Sequence, residues 1–119
     1  MAFTLQSGVL ATDGVPLSAI ADAVGTPVYV YSASAMVERL RAFRSAVPDG
    51  SLVAYAVKAN PNLAVLKVLQ GQGLGADVVS VGEMRRALAA GIAPEKIVFS
   101  GVGKTAAEMR AALEAGIGQ

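Results

Sequence analysis

Lys58 follows six consecutive apolar residues, Leu52 to Val57, and stands just before Asn60-Pro61-Asn62. An apolar run of that length has the pattern of a strand buried on both faces, as in a parallel sheet covered by helices. With side chains alternating, Leu52, Ala54, Ala56 and Lys58 share one face, and Val53, Tyr55 and Val57 share the other. The lysine face is the one with small residues, so two alanines leave room for something bulky beside the amine. An amine kept from water is neutral part of the time and then attacks carbonyls. The alternative is a lysine that simply leaves the sheet for solvent where the turn begins. The residues alone leave both readings open.

Asp77 is the second polar residue of interest, because it interrupts the apolar strand expected over 75–80, one strand away from Lys58. A buried carboxylate needs a partner. The neighbouring lysine is the obvious cation, and a loop amide or water is the competing account. Glu83 is explained by a capping box with Ser80. Lys67, Arg85, Arg86 and Arg110 fall on expected helices, where solvated faces account for them.

The glycines invite nucleotide-binding readings. Gly103-Lys104-Thr105 has the tail of a phosphate-binding loop, but the position that needs its first glycine is Val98. Gly101-x-Gly103-x-x-Ala106 fits a degenerate dinucleotide fingerprint that follows a strand and opens a helix, a weak pattern on its own. Gly71-x-Gly73-x-x-Ala76 follows a helix instead and reads as a helix-to-strand loop.

The elements that position these residues fall into two stretches. Residues 3–16 read as one or two short strands with a turn near Asp13-Gly14, followed by a short helix on Leu17, Ile20, Ala21 and Val24 that Gly25 closes. Val28 to Tyr31 predicts a strand, and Ser34 an N-cap for a helix to about Ala46, ended by Pro48-Asp49-Gly50. From residue 52 a rhythm sets in: strand 52–57, a helix capped by Asn60 with Pro61 at its first position, strand 75–80, helix 81–90, strand 96–100, helix 106–115. The strand starts lie 23 and 21 residues apart, as in successive βα units of a parallel sheet. Ser80 with Glu83 and Thr105 with Glu108 each form the Ser/Thr-x-x-Glu pattern of a helix start.

Composition narrows the function classes. Ten basic and nine acidic residues give a net charge of +1, which argues against a nucleic-acid or anionic-membrane surface. There is no cysteine and no histidine, so thiolate chemistry, the commonest general base and the commonest metal ligand are all missing from these 119 residues, and no metal site is expected. No apolar run approaches the length of a membrane span, and the expected compartment is the cytoplasm. A closed (β/α)8 barrel typically takes about 250 residues. Three βα units therefore predict an α/β chain holding the first three units of a TIM-type barrel, incomplete here and preceded by a short N-terminal β/α segment.

Four stretches together carry a resemblance: Gly25-Thr26-Pro27-Val28-Tyr29-Val30-Tyr31, Tyr55-Ala56-Val57-Lys58-Ala59-Asn60-Pro61-Asn62, Ala76-Asp77-Val78-Val79-Ser80 with Gly82-Glu83, and Ile97-Val98-Phe99-Ser100-Gly101 with Lys104-Thr105. The chain resembles the pyridoxal-phosphate-dependent decarboxylases of the alanine-racemase-like barrel fold, and within them the branch that converts meso-2,6-diaminopimelate to L-lysine. Val81 departs from the family's usual Gly-Gly-Glu. The resemblance implies that Lys58 is the catalytic lysine holding pyridoxal 5'-phosphate as a Schiff base and that Ala56 and Asp77 line the cofactor pocket. It also implies a small amino-acid substrate and a homodimer. Residues 1–26 would contribute to a separate β domain, and 27–119 to the first part of the cofactor-binding barrel. The family's ring-stacking histidine, glycine-rich phosphate site, pyridine-facing glutamate and partner cysteine come from further along. The 119-residue chain alone is therefore expected to be inactive. Ornithine, arginine and carboxynorspermidine decarboxylases are the alternatives within the family. Outside it, the alternatives are a dinucleotide or phosphate module built on Gly101–Ala106 and a truncated domain that persists only by association through exposed sheet edges.

Overall fold

The computed structural model describes residues 2–119 and divides into two compact units, the first running to Phe43 and the second from Arg44 to Gln119.

The first unit opens with a three-stranded antiparallel sheet, β1 (Thr4–Gln6), β2 (Val9–Thr12) and β3 (Val15–Pro16). Two tight turns join the strands, Ser7-Gly8 and Asp13-Gly14, each with both residues at positive φ. Successive positive φ values give the backbone twist that suits a two-residue hairpin, and an Asp-Gly pair is favoured there. The sequence pointed to the Asp13-Gly14 turn only. Helix α1 (Leu17–Val24) ends at Gly25, whose N–H donates to the Ala21 carbonyl at 2.7 Å with φ at 81°, as its closing glycine predicts.

Two expectations for this unit are corrected. Helix α2 (Ala33–Arg44) is capped by Ser32, whose Oγ accepts from the Ala35 N–H at 3.1 Å, and not by Ser34. The Ser34 hydroxyl is taken by Asp13, which also accepts from the Ser34 N–H at 3.2 Å and the Ser32 hydroxyl at 2.8 Å. Residues 28–31 form no strand. They alternate like one, but a strand exists only by pairing, and no described segment pairs with them; Tyr29 is 87% exposed.

The second unit is a run of βα elements: β4 (Ala54–Ala56), a 3-10 turn (Val57–Ala59), α3 (Leu63–Gln70), β5 (Gly75–Val78), α4 (Val81–Ala89), β6 (Ile97–Phe99) and α5 (Ala106–Glu114). The strands lie side by side in the order β4, β5, β6, all parallel. Their register makes two faces. Tyr55, Ala76 and Ile97 form one row and Val78 and Phe99 another, and this face packs against Leu66 of α3, Met84 and Ala87 of α4 and Ala112 of α5. Leu66, Val78 and Ile97 are fully buried there, and truncating Leu66 or Ile97 to alanine should cost about 2–5 kcal/mol. The opposite face holds Ala54 beside Gly75, then Ala56, Asp77 and Val98 in one row, all but Gly75 only partly buried. Burial on both faces was expected of strand 52–57. The helices cover one.

Gly75 is required where it stands. A Cβ there would lie 2.2 Å from the Lys96 carbonyl oxygen and 3.1 Å from Leu52 Cδ1. At the far edge of the sheet the last residues already pair with β6. The Gln119 N–H donates to the Ile97 carbonyl at 3.3 Å, and the Phe99 N–H donates to the Gln119 carbonyl at 2.7 Å. That alternation is a parallel ladder with Gln119 opposite Val98.

Candidate functional site

In parallel α/β sheets ligands gather at the carboxyl ends of the strands, where loops leave for the helices. The three strands end there in a 3-10 turn bearing Lys58, in the Asp77 to Ser80 segment, and in the Gly101 to Thr105 loop.

Strand β4 stops at Ala56, and Val57 turns into the 3-10 segment with its side chain fully buried. A 3-10 turn rotates about 120° per residue where a strand rotates about 180°. The alternation that put Lys58 on the face of Ala54 and Ala56 therefore ends one residue too early to govern it. Lys58 is exposed, and among the described residues no hydrogen bond or ion pair engages its amine. The turn runs on through Asn60, whose Oδ1 accepts from the Asn62 N–H at 3.1 Å. The α3 cap is Asn62 and not Asn60, with Asn62 Oδ1 accepting from Ala64 N–H at 2.8 Å; Pro61 precedes the helix.

Asp77 stands directly beside Ala56 in the sheet register. Its Oδ1 is buried and has no hydrogen-bond partner. The ion pair expected with Lys58 is not formed, and no loop amide among the described residues satisfies that oxygen either. Ala56 and Asp77 are thus brought together, while Lys58 lies just past the strand end on the 3-10 turn, with no hydrogen bond or ion pair to Asp77.

Polar residues of α4 and α5 fix the loops around this row. Ser80 caps α4, its Oγ accepting from the Glu83 N–H at 3.2 Å, but the Glu83 carboxylate reaches past Ser80 to the Val79 N–H at 2.9 Å. The reciprocal half of the box expected at Ser80 is thereby displaced by one residue. Thr105 and Glu108 do form the full capping box. Glu108 Oε2 accepts from the Thr105 N–H and hydroxyl, each at 3.0 Å, and its Oε1 accepts from the Val81 N–H at 3.4 Å. The Thr105 amide, then the Thr105 hydroxyl and the Val81 amide, hold the Glu108 carboxyl below the usual carboxylate range.

Two cations do work that the sequence did not reveal. Arg86 was expected to be purely solvated, yet its Nη1 donates to the Pro61 carbonyl at 3.4 Å. Lys104 Nζ donates to the Phe99 carbonyl at 3.0 Å and the Gly101 carbonyl at 2.8 Å, and lies 5.3 Å from the Phe99 ring centroid. That amine braces its own glycine loop and is not held out towards a phosphate. Neither contact has a local signal, because each partner carbonyl is set by where the chain folds. Among the described residues there is no cluster of metal-ligating side chains and no helix long and apolar enough to cross a membrane.

Residues 33–119 match the family described as pyridoxal-dependent decarboxylase, pyridoxal binding domain. The chain belongs to this family. Among relatives of the decarboxylase family, the diaminopimelate decarboxylase of Zymomonas mobilis is 60% identical over 98% of this chain, and that of Pseudomonas fluorescens 53% identical over 98%. The chain spans 29% and 28% of their respective lengths. A crystal structure from Aquifex aeolicus superposes with a TM-score of 0.90 at 46% identity, covering 98% of this chain and 29% of that one. Diaminopimelate decarboxylase from Helicobacter pylori, solved in complex with L-lysine, gives 0.80 at 42% identity over 86% of this chain and 26% of its own. The three parallel βα units are thus the family's own arrangement over this part of its barrel.

Proposed function

We propose that this chain supplies the lysine-bearing wall of a pyridoxal-phosphate-dependent decarboxylase that converts meso-2,6-diaminopimelate to L-lysine and carbon dioxide. The observation that carries the reading is a buried, unsatisfied Asp77 Oδ1 beside Ala56, at the strand end that leads to an unengaged lysine amine. These residues fit such a cofactor. Lys58 offers an amine to its aldehyde, the small Ala56 side chain leaves space beside the strand end, and Asp77 is an acceptor in search of a donor. When bound, the cofactor supplies an electron sink for the carbanion left by carbon dioxide. Lys58 Nζ would anchor it and carry a proton at this end of the site. Asp77 would orient it, and Val79 to Val81, held by Glu83 and Glu108, would keep the adjoining loop in place.

Diaminopimelate is favoured as substrate because relatives between 48% and 60% identical all carry that activity in their names. By the same reading, residues 1–26 belong with a separate β domain and 27–119 with a barrel. On this reading the whole enzyme is a cytoplasmic homodimer, and its remaining catalytic groups lie in the length of the relatives that this chain does not span.

Incubation with pyridoxal phosphate, reduction with borohydride and peptide mapping test the reading. The chain has four lysines, Lys58, Lys67, Lys96 and Lys104. Selective modification of Lys58 is expected. Labels scattered over all four would overturn it.

A further inference from the structure

Lys58 stands on a short turn whose exit is held from another element. Residues 57–59 form the 3-10 turn, Pro61 has no N–H to give, and α3 begins only at Leu63. Among the hydrogen bonds of the described residues, the one that reaches this exit from elsewhere in the fold is Arg86 Nη1 to the Pro61 carbonyl. Arg86 has a fixed base from which to do so. Its helix α4 is anchored in the core by Met84 and Ala87, closed at its start by the Ser80 cap, and tied at its first residue to Glu108 of α5.

We propose that Arg86 is a positioning residue for Lys58: by holding the Pro61 carbonyl it fixes the exit of the turn and so restricts where the Lys58 amine can go. The proposal rests on the reading of Lys58 as the cofactor lysine. A guanidinium suits the task because its fork of donors can hold a carbonyl while its remaining N–H groups stay in water. The neighbouring Arg85 carries the same charge on the same helix and makes no hydrogen bond among the described residues, which provides an internal control.

The test is the share of label on Lys58 relative to Lys67, Lys96 and Lys104 within one sample of the full chain. The Lys58 amine adds to the aldehyde carbon of pyridoxal phosphate, water leaves as the C=N bond forms, and borohydride delivers hydride to that carbon while nitrogen takes a proton from water. Arg86→Ala is expected to lower the Lys58 share by about two- to ten-fold, the range one hydrogen bond can move. Arg86→Lys, which keeps a donor, should restore part of it, and Arg85→Ala should leave it unchanged. Amide exchange at Asn62 and Ala64 should quicken in Arg86→Ala, with circular dichroism as in the parent. If Arg86→Ala does not fold, Arg86→Gln serves for the same measurement. An unchanged Lys58 share in the Arg86 variant overturns the proposal, and so does an equal fall in Arg85→Ala, which would make the effect one of net charge. Scattered labelling of the unmodified chain removes the Lys58 reading itself, and this inference with it.

Discussion

Asp77 and Ala56 are register partners across β4 and β5, so the sheet's one carboxylate stands beside the last strand residue before the Lys58 turn. Leaving a buried polar atom without a partner costs about 1–3 kcal/mol. Such a group at the carboxyl end of a parallel sheet is a local conflict of the kind that marks functional sites.

Asp77→Ala should therefore separate stability from binding. Removing the unsatisfied oxygen is expected to leave the urea midpoint of the second unit unchanged or raise it, while selective labelling of Lys58 by pyridoxal phosphate declines. Destabilisation by more than about 2 kcal/mol would show that the carboxylate has a structural role and would count against its place in a cofactor pocket.

Gly75→Ala should be severe for a purely steric reason. The new methyl would meet the Lys96 backbone carbonyl at 2.2 Å, and backbone in a paired strand cannot step aside as a side chain can. A loss of about 2–3 kcal/mol is expected, at the upper end for overpacking. Gly103→Ala, where nothing lies within 4 Å of the added carbon, should stay within about 0.5 kcal/mol. Equal effects in paired denaturation curves would contradict the close approach of β5 to the segment before β6.

Acid should loosen both units through two carboxylates. The Ser34 hydroxyl, then the Ser32 hydroxyl and the Ser34 amide, hold Asp13 below its ordinary range, and Glu108 is lowered by Thr105 and Val81. A depressed folded-state pKa gives stability that is present above the unfolded-state values, about 3.9 for Asp and 4.3 for Glu, and is lost as pH falls through the lower folded values. Denaturation midpoints should hold from pH 7 to 5 and drop below about pH 4. Asp13→Asn and Glu108→Gln should each flatten part of that drop. Variants that keep the parent's full acid dependence would show that the titration lies elsewhere.

The 119-residue chain by itself should release no carbon dioxide from meso-diaminopimelate, even with pyridoxal phosphate in excess. It spans under a third of its relatives' length and contains no histidine or cysteine. Carbon dioxide release above a Lys58→Ala control would contradict this.

The sequence by itself determined the three βα units, the helix starts at Ser80 and Thr105 and the closing glycine of α1, and it offered Lys58 and Asp77 as candidates, with Ala56 added by the family resemblance. Those features are local: hydrophobic period, a cap three residues from its amide, a glycine at positive φ. Boundaries shifted where two local signals competed, as at Asn60 against Asn62 and Ser34 against Ser32, and Asp13, 21 residues away from Ser34, decided the second. The 28–31 run kept its pattern and formed no strand, since pairing is a property of two segments. Only the tertiary structure decided that Ala56 and Asp77 are neighbours, that Lys58 leaves the strand's alternation on a 3-10 turn, and that Arg86 reaches Pro61 and Glu108 reaches Val81. Each depends on the register and spacing of elements more than 20 residues apart in the chain or on a turn at a strand end, and no periodicity within one element encodes that.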